Sequence, residues 1–230
     1  MCGRLNITDD PMVTQTLLDL GVANPYEKKH LGRFIRATNQ LSIVLQENHQ
    51  PPRIQSAAWW LLQEPTETGF KPSKYTSFNS RYDKLHVRGS AAYQPYRSNR
   101  CIVVANGFGE TLSQGKKALH YYDFYAEQPL LLAGLYKTWY HPKKDTPFYS
   151  CSIITLPPHP KLQPFHDKAS PMMLPNDNAL LLAWLDPLFS QVTAFEFLLQ
   201  PTLHQSLTVQ EIDKPSSYHP IGEAHYLMAD

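Results

Sequence analysis

Loss of a single residue would give this chain two nucleophiles on adjacent carbons. Met1 is followed by Cys2, Gly3 and Arg4, so removal of the methionine leaves Cys2 as the N-terminus. A terminal cysteine combines an α-amine of pKa about 8 with a thiol of pKa about 8.5, both partly deprotonated near neutral pH. Together they can close a five-membered thiazolidine ring on an aldehyde, which an internal cysteine cannot do. The amine can also act as local base for its own thiol, the logic of N-terminal nucleophile enzymes. Taken alone, Cys2 reads as an ordinary small residue beside the initiator, and the rest of the chain has to overturn that.

A second feature lies in the charge distribution, because the net charge of +1 says little. Lys71, Lys74, Arg81, Lys84, Arg88, Arg97 and Arg100 stand against the single acid Asp83, with Phe70, Tyr75, Phe78, Tyr82, Tyr93 and Tyr96 among them. Cations track a phosphate backbone and aromatic faces stack on exposed bases, so the mixture suits single-stranded nucleic acid. A solvated surface with buried aromatics would read the same way.

The elements that must position these residues read as α+β in one domain. At 230 residues and 42% hydrophobic, the chain can bury a substantial core. Asp9-Asp10-Pro11 starts a helix that stops at Gly21. Leu41–Gln46, Ile54–Leu61, Cys101–Ala105, Leu119–Ala126, Leu130–Tyr140, Phe148–Leu156 and Leu207–Ile212 read as strands. Asn176 or Asp177 caps a helix through Leu185, and Asp186-Pro187 starts another that ends near Leu199. Twenty prolines argue against any long helix. No apolar run approaches the roughly 20 residues needed to span a membrane, and no leader opens the chain, so a cytoplasmic, nucleoid-associated protein is expected. Three scattered cysteines argue against a disulfide framework and against a structural zinc site; Cys101 and Cys151 read as core.

Four short motifs follow in order: Met1-Cys2-Gly3-Arg4, Phe78-Asn79-Ser80-Arg81-Tyr82-Asp83, Asn106-Gly107-Phe108-Gly109-Glu110 and Phe165-His166-Asp167-Lys168. Their order and spacing resemble the SRAP family, the SOS response-associated peptidases, whose members shield abasic sites by covalent attachment. The resemblance implies one domain over residues 1–230, with a core of about 2–213 and a C-terminal tail of about 214–230. It implies a twisted antiparallel, barrel-like sheet with a few flanking helices. It also implies a monomer acting on single-stranded DNA with abasic sites, with no metal, organic cofactor or membrane partner.

The same resemblance assigns roles. Cys2, Asn79, Glu110 and His166 are the catalytic set; Gly3, Arg4, Phe70, Arg81 and Lys168 contact DNA. His166, near pKa 6.5, would shuttle the proton that opens the sugar hemiacetal at neutral pH. Glu110 would serve as general acid or base, and also in autocatalytic loss of Met1. Asn79 would orient the amine or a sugar oxygen. Arg4 and Arg81 would fork phosphate oxygens, and Gly3 would let the backbone approach the sugar. Each residue also has a bland reading: a turn carboxylate pairing Lys116 or Lys117, a surface histidine, a turn amide. The chain departs from the family pattern at Thr111-Leu112, where an aromatic is usual. It departs again at Lys168 in place of Arg, at Pro171, at Ile35-Arg36-Ala37-Thr38 and at Trp60-Leu61. Phe70 stands near the family's tryptophan wedge. Two other readings compete. One is an N-terminal nucleophile amidohydrolase or glutamine amidotransferase, with Asn106-Gly107 as oxyanion segment. The other is a non-covalent single-stranded-DNA-binding relative.

Overall fold

The apolar runs that begin at Cys101 and Leu130 become the long central strands of the fold, each apolar on both faces. The computed structural model describes residues 3–27, 30–47, 50–115 and 117–230; Cys2 lies outside the described residues. In chain order the first strands are β1 (Arg4–Ile7), β2 (Gly32–Arg36), β3 (Gln40–Leu45), β4 (Arg53–Ala58), β5 (Gln63–Pro65), β6 (Phe70–Pro72) and β7 (Asn79–Arg81). Then come β8 (Arg100–Gln114), β9 (Lys117–Trp139), β10 (Phe148–Leu156), β11 (Ser170–Pro171), β12 (Leu207–Ile212) and β13 (His225–Leu227). The α-helices are α1 (Pro11–Asp19), α2 (Tyr93–Ser98) and α3 (Asn178–Leu185).

Strands β9, β10, β4, β3 and β8 pair in that order, and β8 also pairs β9, which closes a five-stranded barrel. The pairing is antiparallel except where β10 meets β4 and β7. Beyond the barrel, β8 carries β1 and β2 while β9 carries β12 and β13, so a second sheet extends from the same two strands. Alternation along β8 explains its continuous apolar run: Cys101, Val103 and Ala105 face the barrel interior, whereas Ile102 and Val104 meet the layer formed by α1, α2 and α3.

Helix α1 starts as the sequence suggests, with Asp10 Oδ1 accepting from the Met12 amide at 2.8 Å, and Gly21 follows its end at φ 83°. Asp177 caps α3 through the Leu180 amide. Three expectations change. Leu119–Ala126 and Leu130–Tyr140 are one strand. Ala105 faces Leu130 and Gly107 faces Tyr125, so residues 126–129 bulge against Asn106 alone and Pro129 needs no ladder bond. The expected helix from Pro187 is a 3-10 helix over Val192–Leu199, because the Asp186 side chain captures the Leu188 amide in a local turn. Strand β4 ends at Ala58 rather than Leu61.

The basic, aromatic stretch is partly absorbed by the fold. Arg100 is 1% exposed, and its guanidinium donates to the carbonyls of Tyr96, Arg97, Trp184, Asp186 and Phe189. Tyr96 is buried, and Arg97 stacks on Tyr93 at 3.6 Å. Residues 214–230 return to the sheet: β13 pairs β12, and Asp230 accepts from Lys161 Nζ and the Leu203 amide.

Candidate active site

Glu110 and His166 meet from distant parts of the chain. Glu110 lies opposite Tyr122 where β8 and β9 leave the barrel, with Phe108 and Glu110 on one face and Gly107 and Gly109 on the other. His166 ends a series of tight turns after β10, in which the Leu162 amide bonds His159 and the His166 amide bonds Leu162. The ring of Phe165 anchors that loop against Tyr122 at 5.2 Å and His225 at 5.0 Å. The next side chain is thereby delivered to Glu110, with Nε2 3.4 Å from Oε2.

Burial sets the protonation of both groups. Glu110 and His166 are each 5% exposed. Desolvation pushes the Glu110 carboxyl up to about 7, with Arg4 and Lys168 drawing it the other way. Desolvation also pulls His166 down to about 4, although the Thr111 carbonyl and Asp167 oppose this. His166 Nδ1 lies 3.3 Å from the Thr111 carbonyl, which can only accept, so Nδ1 carries the proton and Nε2 presents its lone pair to Glu110. The sequence reading placed His166 near pKa 6.5; burial instead moves His166 down and Glu110 up, and neither residue is the surface or turn group of the bland reading.

An open cleft of about 420 Å³ covers this pair. Gly3, Phe34, Arg36, Phe78 and Lys168 line it alongside Glu110 and His166. Phe78 packs on Trp59 and Trp60 at 6.1 and 5.7 Å, and its carbonyl accepts from Trp59 Nε1. Asn79 follows in β7 and is half-buried, paired in register with Ile153 of β10.

The four remaining candidates fall in different places. Arg4 lies over Gly109: a Cβ there would come within 2.1 Å of the guanidinium, so only glycine admits it. Its Nη1 is 2.7 Å from Asp123 Oδ1, and Nη2 donates to the Tyr122 carbonyl at 2.9 Å. The fork that a phosphate would need is thus occupied within the protein. Arg81 is exposed and engages Asp83 through Nε and Nη2. Lys168 is exposed at the cleft. Phe70 pairs into the small β5–β6 hairpin and packs on Trp139, His141 and Phe148, so Phe78 and Phe34 are the phenylalanines that line the cleft.

Sequence reasoning passed over Phe34, Arg36 and Asp123. Phe34 and Arg36 share one face of β2 by simple alternation, and that period was the available signal. Asp123 sits amid Tyr121, Tyr122, Phe124 and Tyr125, where a lone acid in an aromatic strand marks a buried partner. Asn106, the proposed oxyanion segment of an amidohydrolase, has its side chain committed to the Thr8 amide and to Asp10.

Comparison with known proteins places the chain. The abasic site processing protein YoqW of Bacillus subtilis (strain 168) is 26% identical over 205 residues, 87% of either chain. The abasic site processing protein HMCES of Xenopus tropicalis is 28% identical over 171 residues, 66% of this chain and 47% of its own. A solved protein from Bordetella bronchiseptica shares the fold with a TM-score of 0.70 at 16% identity, covering 93% of this chain and 100% of the other. A phage-related protein from the same bacterium does so at 0.66 and 20% identity, over 100% of both chains. The SOS response associated peptidase (SRAP) sequence profile matches residues 1–215, and the chain belongs to that family.

Proposed function

We propose that this protein processes abasic sites in single-stranded DNA and shields them by a thiazolidine crosslink through Cys2. The observation that carries the reading is the buried Glu110–His166 pair, opening into a cleft lined by Gly3, the residue that follows Cys2. The names of YoqW and HMCES, both abasic site processing proteins, support the same substrate.

Hydrolysis first removes Met1 and consumes one water, with Glu110 as acid and base. The abasic sugar is a closed hemiacetal. His166 Nε2 accepts its hydroxyl proton while Glu110 protonates the ring oxygen, which yields the aldehyde. The Cys2 amine adds to that carbon as the oxygen takes the proton back from His166 and the nitrogen gives one to Glu110; Glu110 then protonates the departing hydroxyl and takes the second N–H proton, and one water leaves as the imine forms. The thiol then adds across the imine, its sulfur to carbon and its proton to nitrogen. A carboxyl pushed up to about 7 by burial can both give and take a proton near neutrality, as these steps require. Arg36, Lys168 and the exposed Arg81 supply positive charge along the strand's path, with Phe34, Phe78 and, further out, Phe70 as stacking faces. Asn79 orients the amine, and Gly3 leaves room for the sugar. Arg4 holds β1 in place, and DNA phosphate falls to the outer cations.

The test mixes purified protein with a single-stranded oligonucleotide bearing one abasic site and resolves the products on a denaturing gel. The expected product is a heat-stable shifted band, absent from Cys2→Ala, whose mass lacks Met1 and one water. No band from protein with a verified free Cys2 would sink the proposal.

A further inference from the structure

We propose that a second cleft, beyond the Arg4–Asp123 pair, binds a nucleobase carrying an exocyclic amino group, in the strand whose abasic sugar occupies the first cleft. This inference rests on the reading above. Arg4 lines the first cleft and Asp123 the second, so one ion pair is the wall between them. The second cleft offers about 490 Å³, and its lining includes Asn6, Asp123, Tyr125, Gln210, Arg33 and Tyr218.

Its buried lining is short of donors. Asn6 is 8% exposed; its amide serves the Asp123 carboxylate, and its Oδ1 has no partner among the described residues. A buried carbonyl without a donor is costly, and a ligand N–H would remove that cost. Gln210 commits Nε2 to the carbonyls of Glu211 and Ile221, so what it can offer a ligand is its oxygen. Asp123 is 4% exposed and adds a carboxylate. Three acceptors therefore line one side of the cleft.

The rest of the lining favours a planar, anionic-tailed ligand over a compact cation. Tyr125 is 42% exposed. The Arg33 guanidinium lies 4.5 Å from the centre of the Tyr218 ring, a position that repels a cation and suits a phosphate. Tyr218 is held at φ 59°, a left-handed conformation that a tyrosine rarely adopts. The turn that imposes it is tied by Asp213, whose carboxylate accepts from the Lys214 and His219 amides and from Ser217 Oγ. Strain retained in a rigid turn marks a side chain whose position matters.

The test measures binding of Cys2→Ala protein to abasic oligonucleotides at fixed salt, by fluorescence anisotropy. At each position flanking the abasic site, adenine is exchanged for purine and guanine for hypoxanthine, which deletes the amino group alone. Loss of the amino group at one position is expected to weaken binding about five- to tenfold. That discrimination should vanish in Gln210→Ala and in Tyr218→Ala, while both substitutions in the Cys2 protein leave crosslinking in place. Absence of a discriminating position, or discrimination that survives both substitutions, overturns the inference. Discrimination without any crosslinking by the Cys2 protein would overturn the first-cleft reaction and leave the base site standing.

Discussion

Replacing Glu110 with glutamine should make the protein more stable and nearly inert. Burial raises the carboxyl from 4.5 to about 7, so the folded state keeps its proton to higher pH than the unfolded state does. The contribution of Glu110 to stability is fully present below pH 4.5 and is lost as pH rises through about 7. Linkage puts the loss at about 1 kcal/mol at pH 5 and about 3 kcal/mol at pH 8. Glutamine has nearly the same shape and no proton to lose. The advantage of Glu110→Gln over the parent should therefore grow by about 2 kcal/mol between those two pH values. Urea unfolding of both proteins at both pH values measures this, and the double difference cancels the titrating groups remote from Glu110. The same variant cannot exchange a proton with the sugar, so crosslinking should slow by roughly 10²- to 10⁴-fold. A pH-independent stability difference, within about 0.5 kcal/mol, would refute burial as the origin of the shift. Unchanged crosslinking would refute the assignment of Glu110 as acid and base.

Three further outcomes test the frame around the site. Gly109→Ala puts a methyl 2.1 Å from the Arg4 guanidinium between two paired strands, and should cost about 3 kcal/mol in chemical denaturation while abolishing crosslinking. Arg4→Met strands a buried carboxylate and should cost about 3–5 kcal/mol, much of it restored in Arg4→Met/Asp123→Leu; a double-mutant cycle reads the coupling. Asp230→Ala removes the acceptor shared by Lys161, His159 and the Leu203 amide, and should cost about 1 kcal/mol in thermal unfolding, since the side chain is partly exposed.

Elements with local punctuation were legible in the sequence. Asp10-Pro11 and Asp177 announced their helices because capping is decided within a few residues. Strand β1 was not legible, since Arg4 and Asn6 make its four buried residues look polar. What buries them, Gly109 and Asp123, lies more than a hundred residues away. The division of β9 failed for a related reason: Glu127-Gln128-Pro129 reads as a turn, and only the partner strand makes it a bulge. Within the site, motif order brought out Glu110 and His166. Their exchange of protonation roles depends on burial, which only tertiary structure creates.

The fit of Arg4 over Gly109 also acts as a ruler. Strand pairing tolerates no single-residue slip where faces differ, and here a slip would drive a guanidinium into the core and set Leu5 on the far face. The strand therefore cannot slide along β8. The reach of whatever precedes Gly3 is metered from a fixed point on β8, and an added residue at that end changes the measured length rather than the register.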